Sequence, residues 1–168
     1  MGTLRVATVG FDIAPKFHPQ YGAWGTTPIM TETDKPLLTR CLVLEEGNRK
    51  IVWYSHDLCG ENVKGTDELR MEIAQALGLN FEQVIWSTSQ THSSPTLPGS
   101  QLPGGSSITV RGEFDKDFCQ MERKRFINRC INAAKEAISN LEPAKMWIGR
   151  GYCDNVSYDS RFPMPSGG

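Results

Sequence analysis

The chain has 168 residues, 39% of them hydrophobic and 22% charged, an ordinary globular balance that excludes a disordered chain and is long enough for one real core. Eighteen basic residues against 19 acidic ones leave a net charge of −1, which provides no electrostatic pull toward nucleic acid or an anionic membrane. No run of about 18 apolar residues occurs, so no membrane span is expected, and the apolar stretch after Met1, broken by Gly10 and Asp12, is too short for a secretion signal.

In chain order, residues 4–12 read as a first strand that ends at Ile13-Ala14-Pro15. Residues 16–36 are rich in Gly, Pro and Thr and carry Tyr21 and Trp24; loops of that length often serve function. Residues 37–45 and 50–55 are two apolar runs joined by Glu46-Gly47-Asn48-Arg49, a hairpin signal. A helix is predicted over 67–77. Thr66 is its expected N-cap, Asp67 and Glu68 suit the positive end of its dipole, and Leu69, Ile73, Ala76 and Leu77 line one face. Gly78 ends it. Val84 to Thr88 reads as a buried strand leaving through Ser89-Gln90-Thr91-His92-Ser93-Ser94-Pro95, and 95–112 is Pro/Gly/Ser-rich. A second helix is predicted over 115–141, with Phe118, Met121, Phe126, Cys130, Ala133, Ala137, Ile138 and Leu141 near helical spacing and Pro143 closing it. Lys145 to Tyr152 reads as a further strand, and 154–168 is a polar tail.

Strands and helices alternate after a hairpin, which predicts an α/β domain: a mixed β-sheet with flanking helices. Sites in such sheets gather where strand ends meet loops. Two polar segments fall there, Ser55-His56-Asp57 and Gln90-Thr91-His92. A histidine in the position of His92 suits proton transfer or metal binding near neutral pH, against the plainer role of a hydrogen-bonded loop residue. His56 and Asp57 are adjacent in extended chain and point to opposite faces, so they do not act as one unit; Asp57 suits backbone amides in the turn. Arg161, beside Asp159 and Ser160, has the chemistry to hold a carboxylate or polarise a carbonyl, against a solvated tail arginine. The five cysteines, Cys41, Cys59, Cys119, Cys130 and Cys153, are odd in number and contain no CxxC pair, which argues against a zinc knuckle or a disulfide framework. Cys41 and Cys130 read as buried thiols.

The order of these segments resembles the N-terminal part of the neutral/alkaline (non-lysosomal) ceramidase family. Val9-Gly10-Phe11-Asp12-Ile13-Ala14-Pro15 looks like its opening "G..DITP", Leu37 to Leu44 like "L.ARALVL", and Ile51 to Leu58 like "VLVS.DL". Val84 to Pro95 looks like the segment ending "HTHSGP", and Asn155 to Arg161 like the segment around "NRS" or "NRR". The resemblance implies a zinc-dependent amidase. In that family zinc is held by the first histidine of the HTH motif and by a later His, Glu and Tyr, and activates water against an amide carbonyl. The second histidine of the motif falls at His92. The first falls at Gln90, a poor zinc ligand, and the family arginine falls at Ser160, with Arg161 next to it.

These readings combine into one expectation: a cytoplasmic amide-bond hydrolase segment whose fold and site are incomplete without further polypeptide, a second chain or a C-terminal segment. His92 and Arg161 are its candidate catalytic residues. Gln90, Tyr21 and Trp24 are its candidate substrate contacts, for a small soluble amide, lactam or N-acyl compound. Two alternatives stand beside it. One is the α-chain of a self-processed amidase, cut after the Gly-Gly end to expose an N-terminal nucleophile without zinc. The other is a scaffold subunit with a degenerate site.

Overall fold

The computed structural model describes residues 2–14, 32–59, 63–94 and 116–153. The candidate residues Tyr21, Trp24 and Arg161, the segment 95–112 and the polar tail lie outside them.

Five strands form one mixed sheet in the order β4-β3-β2-β1-β5: β1 (Leu4–Asp12), β2 (Leu38–Glu46), β3 (Arg49–His56), β4 (Val84–Thr88) and β5 (Glu142–Pro143). β1 and β2 are antiparallel in full register from Leu4↔Glu46 to Asp12↔Leu38. β2 and β3 form the expected hairpin, with Glu46 opposite Arg49. Its two-residue turn puts Gly47 at φ 58°, where a side chain would be strained. β4 joins β3 in parallel, Val52↔Val84 through His56↔Thr88, because the chain crosses over through helix α1 (Val63–Leu77). The parallel pair brings the exits of β3 and β4 to the same end of the sheet.

α1 begins four residues before the predicted start. Thr66 is therefore inside the helix rather than its cap, and the first turn holds no acidic residue. Its buried face is Leu69, Ile73 and Ala74, with Leu77 packed beside them; Ala76, predicted for that face, is exposed. Gly78 ends the helix at φ 66°, as its position requires. Helix α2 (Lys116–Ser139) buries Phe126, Ile127, Cys130, Ala133, Ala134 and Ala137. Met121, expected on that face, is 57% exposed, and Glu122 takes the inward position at 6%. Arg125 pairs with Glu122 at 2.7 Å, which offsets the cost of burying its carboxylate.

Both helices cover one face of the sheet. That face carries Cys41 and Val43 of β2, Val52 and Tyr54 of β3 and Val84 of β4, all fully buried. The three alanines of α2 let its backbone approach closely. The Tyr54 hydroxyl donates to the Cys130 carbonyl at 2.9 Å, tying β3 to α2. Burial pushes the Cys41 thiol up to about 12 and raises the Cys130 thiol well above its ordinary value, so both are small hydrophobes rather than nucleophiles.

The last predicted strand is corrected. Only Glu142–Pro143 pairs with β1, extended by the Ala144 amide to the Leu4 carbonyl at 2.8 Å. Residues 144–153 carry no regular structure. Pro143 offers no N–H to a ladder, which confines it to an edge.

Candidate functional site

Four segments meet at one end of the sheet: the exits of β1, β3 and β4 and the entry to β2. The Ile13 amide donates to the Leu37 carbonyl at 2.6 Å, the Asp57 amide to the Leu38 carbonyl at 2.9 Å, and the Ser89 amide to the His56 carbonyl at 2.9 Å. Asp57 turns away from the core, accepts the Leu38 amide at 3.0 Å and pairs loosely with Arg40 at 3.4 Å. It holds backbone together, as its position in the turn suggested.

The turn after β4 carries Gln90 and His92. Gln90 has φ 57°, the left-handed region that a β-carbon disfavours. Residues held there collect at functional sites when their surroundings over-determine them. The surroundings here are specific. Ser94 is fully buried; its hydroxyl donates to the Thr91 carbonyl at 3.2 Å and accepts the Cys59 amide at 3.1 Å. The Ser93 amide donates to Thr91 Oγ1 at 3.3 Å. Ser94 thus clamps the β4 exit to the β3 exit, and His92 is exposed on the clamped turn. Sequence reasoning missed Ser94. Ser-Ser-Pro after a strand marks a turn, and nothing local shows that the partner amide lies 35 residues earlier.

His56 plays a different part from His92. It is fully buried, its ring set against Trp86 at 3.8 Å, Phe126 at 5.5 Å and Tyr54 at 5.8 Å between centroids. Nδ1 and Thr39 Oγ1 share a hydrogen bond at 2.8 Å. Among the described residues Nε2 has no hydrogen-bond partner, nor does the nearby Trp86 Nε1. Burial holds its pKa down to about 3, so the imidazole is neutral at physiological pH. Its main-chain carbonyl receives the Ser89 amide at the start of the turn, and of these two histidines only His92 faces solvent.

Gln90 and His92 therefore share one turn at the strand-end site. Among the described residues no three His, Cys, Asp or Glu side chains converge on a point. With Gln90 in the first position of the motif, the described residues do not by themselves form a zinc site. A groove lined by Glu72, Ala76, Arg123 and Ile127 runs between α1 and α2, away from the strand ends, and offers nothing to His92.

No family model and no curated protein matches the chain. Solved structures do. A neutral ceramidase from Pseudomonas aeruginosa aligns with a TM-score of 0.60 and 19% identity over 85% of this chain. A ceramidase complexed with C2 aligns with a TM-score of 0.61, again at 19% identity over 85% of this chain. Each alignment covers 22% of the neighbour's chain, so this chain spans about a fifth of their length. The shared feature is the fold.

Proposed function

We propose that this chain forms part of a ceramidase-like hydrolase of amide bonds, in which the Gln90–His92 turn is one wall of the active site and further polypeptide supplies the others. One observation carries the reading. In a sheet whose fold matches solved ceramidases, the segment resembling the family's HTHSGP motif leaves β4 as a clamped turn with a left-handed residue at Gln90.

In this reading His92 takes the proton from water as it attacks the amide carbonyl and returns it to the leaving amine. Gln90 holds the amide through its own carboxamide, and Arg161 polarises the carbonyl oxygen. Tyr21 and Trp24 form apolar walls for the acyl or amine portion. The substrate is a small soluble amide, lactam or N-acyl compound, turned over in the cytoplasm.

The test is His92→Ala in the native gene product, assayed against a panel of N-acyl amides and lactams. The expected result is a fall in kcat/KM of about 10²–10⁴-fold with unchanged circular dichroism. Full activity in the variant, or no turnover of any amide by the wild type, rejects the proposal. Metal analysis of the active protein separates zinc-activated water from an N-terminal nucleophile.

A further inference from the structure

Ser94 stands where the ceramidase motif has no side chain. Letter by letter, HTHSGP falls on Gln90-Thr91-His92-Ser93-Ser94-Pro95, so Ser94 takes the place of the glycine. Relative to the motif, this chain lacks the first histidine and carries an extra hydroxyl. A glycine there leaves the backbone its widest conformational choice. The serine narrows it through two hydrogen bonds.

Both are made by one oxygen on a fully buried residue. Ser94 Oγ donates to the Thr91 carbonyl at 3.2 Å, which closes a hydrogen-bonded ring of chain that contains His92. It accepts the Cys59 amide at 3.1 Å, which ties that ring to the β3 exit. The start of the turn is tied to the same exit, because the Ser89 amide donates to the His56 carbonyl at 2.9 Å. The β3 exit is itself fixed to β2. The Asp57 amide donates to the Leu38 carbonyl at 2.9 Å, and the Leu38 amide donates to the Asp57 carboxylate at 3.0 Å. Residues 90–93 therefore span between two anchors on the sheet, and Gln90 holds its φ of 57° within that span. His92 is exposed and lies close to the second anchor.

We infer that Ser94 is the positioning residue of His92. Its hydroxyl fixes the segment that carries the imidazole relative to the sheet, and its burial keeps it from substrate. A catalytic group has to be held within about 0.5 Å of its productive position, and a misplacement of about 1 Å costs about 10²-fold in rate. Without the hydroxyl, the turn keeps its anchor at Ser89 and loses the one beside His92. Ser94 acts through His92, so this role rests on the reading of His92 as the proton-transferring group.

The test is a double-mutant cycle of His92→Ala and Ser94→Ala in the native gene product, on the N-acyl amide or lactam that the wild type hydrolyses best. Ser94→Ala alone is expected to lower kcat about 10–100-fold with KM little changed. In the His92→Ala background it is expected to have no further effect on kcat. Ser94→Gly, which restores the motif's residue, is expected to lower kcat alike and carries the comparison where the alanine variant does not fold. Ile73→Val, a change in the buried face of α1, is the control for lost stability and is expected to keep the wild-type kcat. An unchanged kcat in the Ser94 variants, or the same fall with and without His92, overturns the inference while leaving His92 catalytic. A fall in Ile73→Val equal to that in Ser94→Ala overturns it in favour of a general effect of stability. Full activity in His92→Ala alone, or no amide turned over by the wild type, rejects the reading of His92 and this role with it.

Discussion

Acidification should unfold this protein through His56. The ring is fully buried among Tyr54, Trp86 and Phe126, with a single hydrogen bond to Thr39; those four partners carry no charge that would stabilise an imidazolium. Its pKa falls from 6.5 in the unfolded chain to about 3 in the fold. Between those values the unfolded state binds more protons, so stability rises with pH across the window. The contribution of the neutral ring is complete above pH 6.5 and is lost at about 1.4 kcal/mol per pH unit as pH falls toward 3. At pH 5 the loss is about 2 kcal/mol, a large share of the 5–15 kcal/mol that holds a typical domain. Urea titrations at pH 7.5, 6 and 5, on the wild type and on His56→Gln, measure it. The wild type should lose about 2 kcal/mol more than the variant between pH 7.5 and pH 5, after the shared response of the carboxylates cancels. Parallel profiles for the two proteins would mean that the ring is solvated or paired, and the account of the core around it would fail.

Two further perturbations probe the turn. Ser94→Ala removes the acceptor of the Cys59 amide and the donor to the Thr91 carbonyl; the expected cost is about 1–3 kcal/mol in urea denaturation, with faster amide exchange at Cys59. Gln90→Gly relieves the left-handed backbone at φ 57°. It should leave stability unchanged or raise it by up to about 1 kcal/mol, while lowering activity if the carboxamide holds substrate; a clear loss of stability would show that the side chain anchors the turn.

Periodicity and turn chemistry carried most of the fold. β1, the β2–β3 hairpin, β4 and both helices follow from local patterns, because alternation, Gly47, Gly78 and the apolar spacing of α2 act within a few residues of themselves. Where local signals competed, the core decided. Thr66 and Asp67 look like a helix start, yet α1 begins at Val63, because capping is weaker than the packing of Leu69 and Ile73. Met121 looks like a core residue, but the helix rotates Glu122 inward with Arg125 to meet it. The apolar run after Lys145 looks like a strand, and among the described residues it finds no pairing partner beyond Ala144.

The sequence by itself determined the element order, the mixed α/β class and the turn bearing Gln90 and His92, since each is written in neighbouring residues. Only the tertiary structure decided that His56 is buried while His92 faces solvent and that Ser94 joins two strand exits. Those properties depend on which distant segments come together, and burial is a property of the packed molecule, not of any stretch of chain.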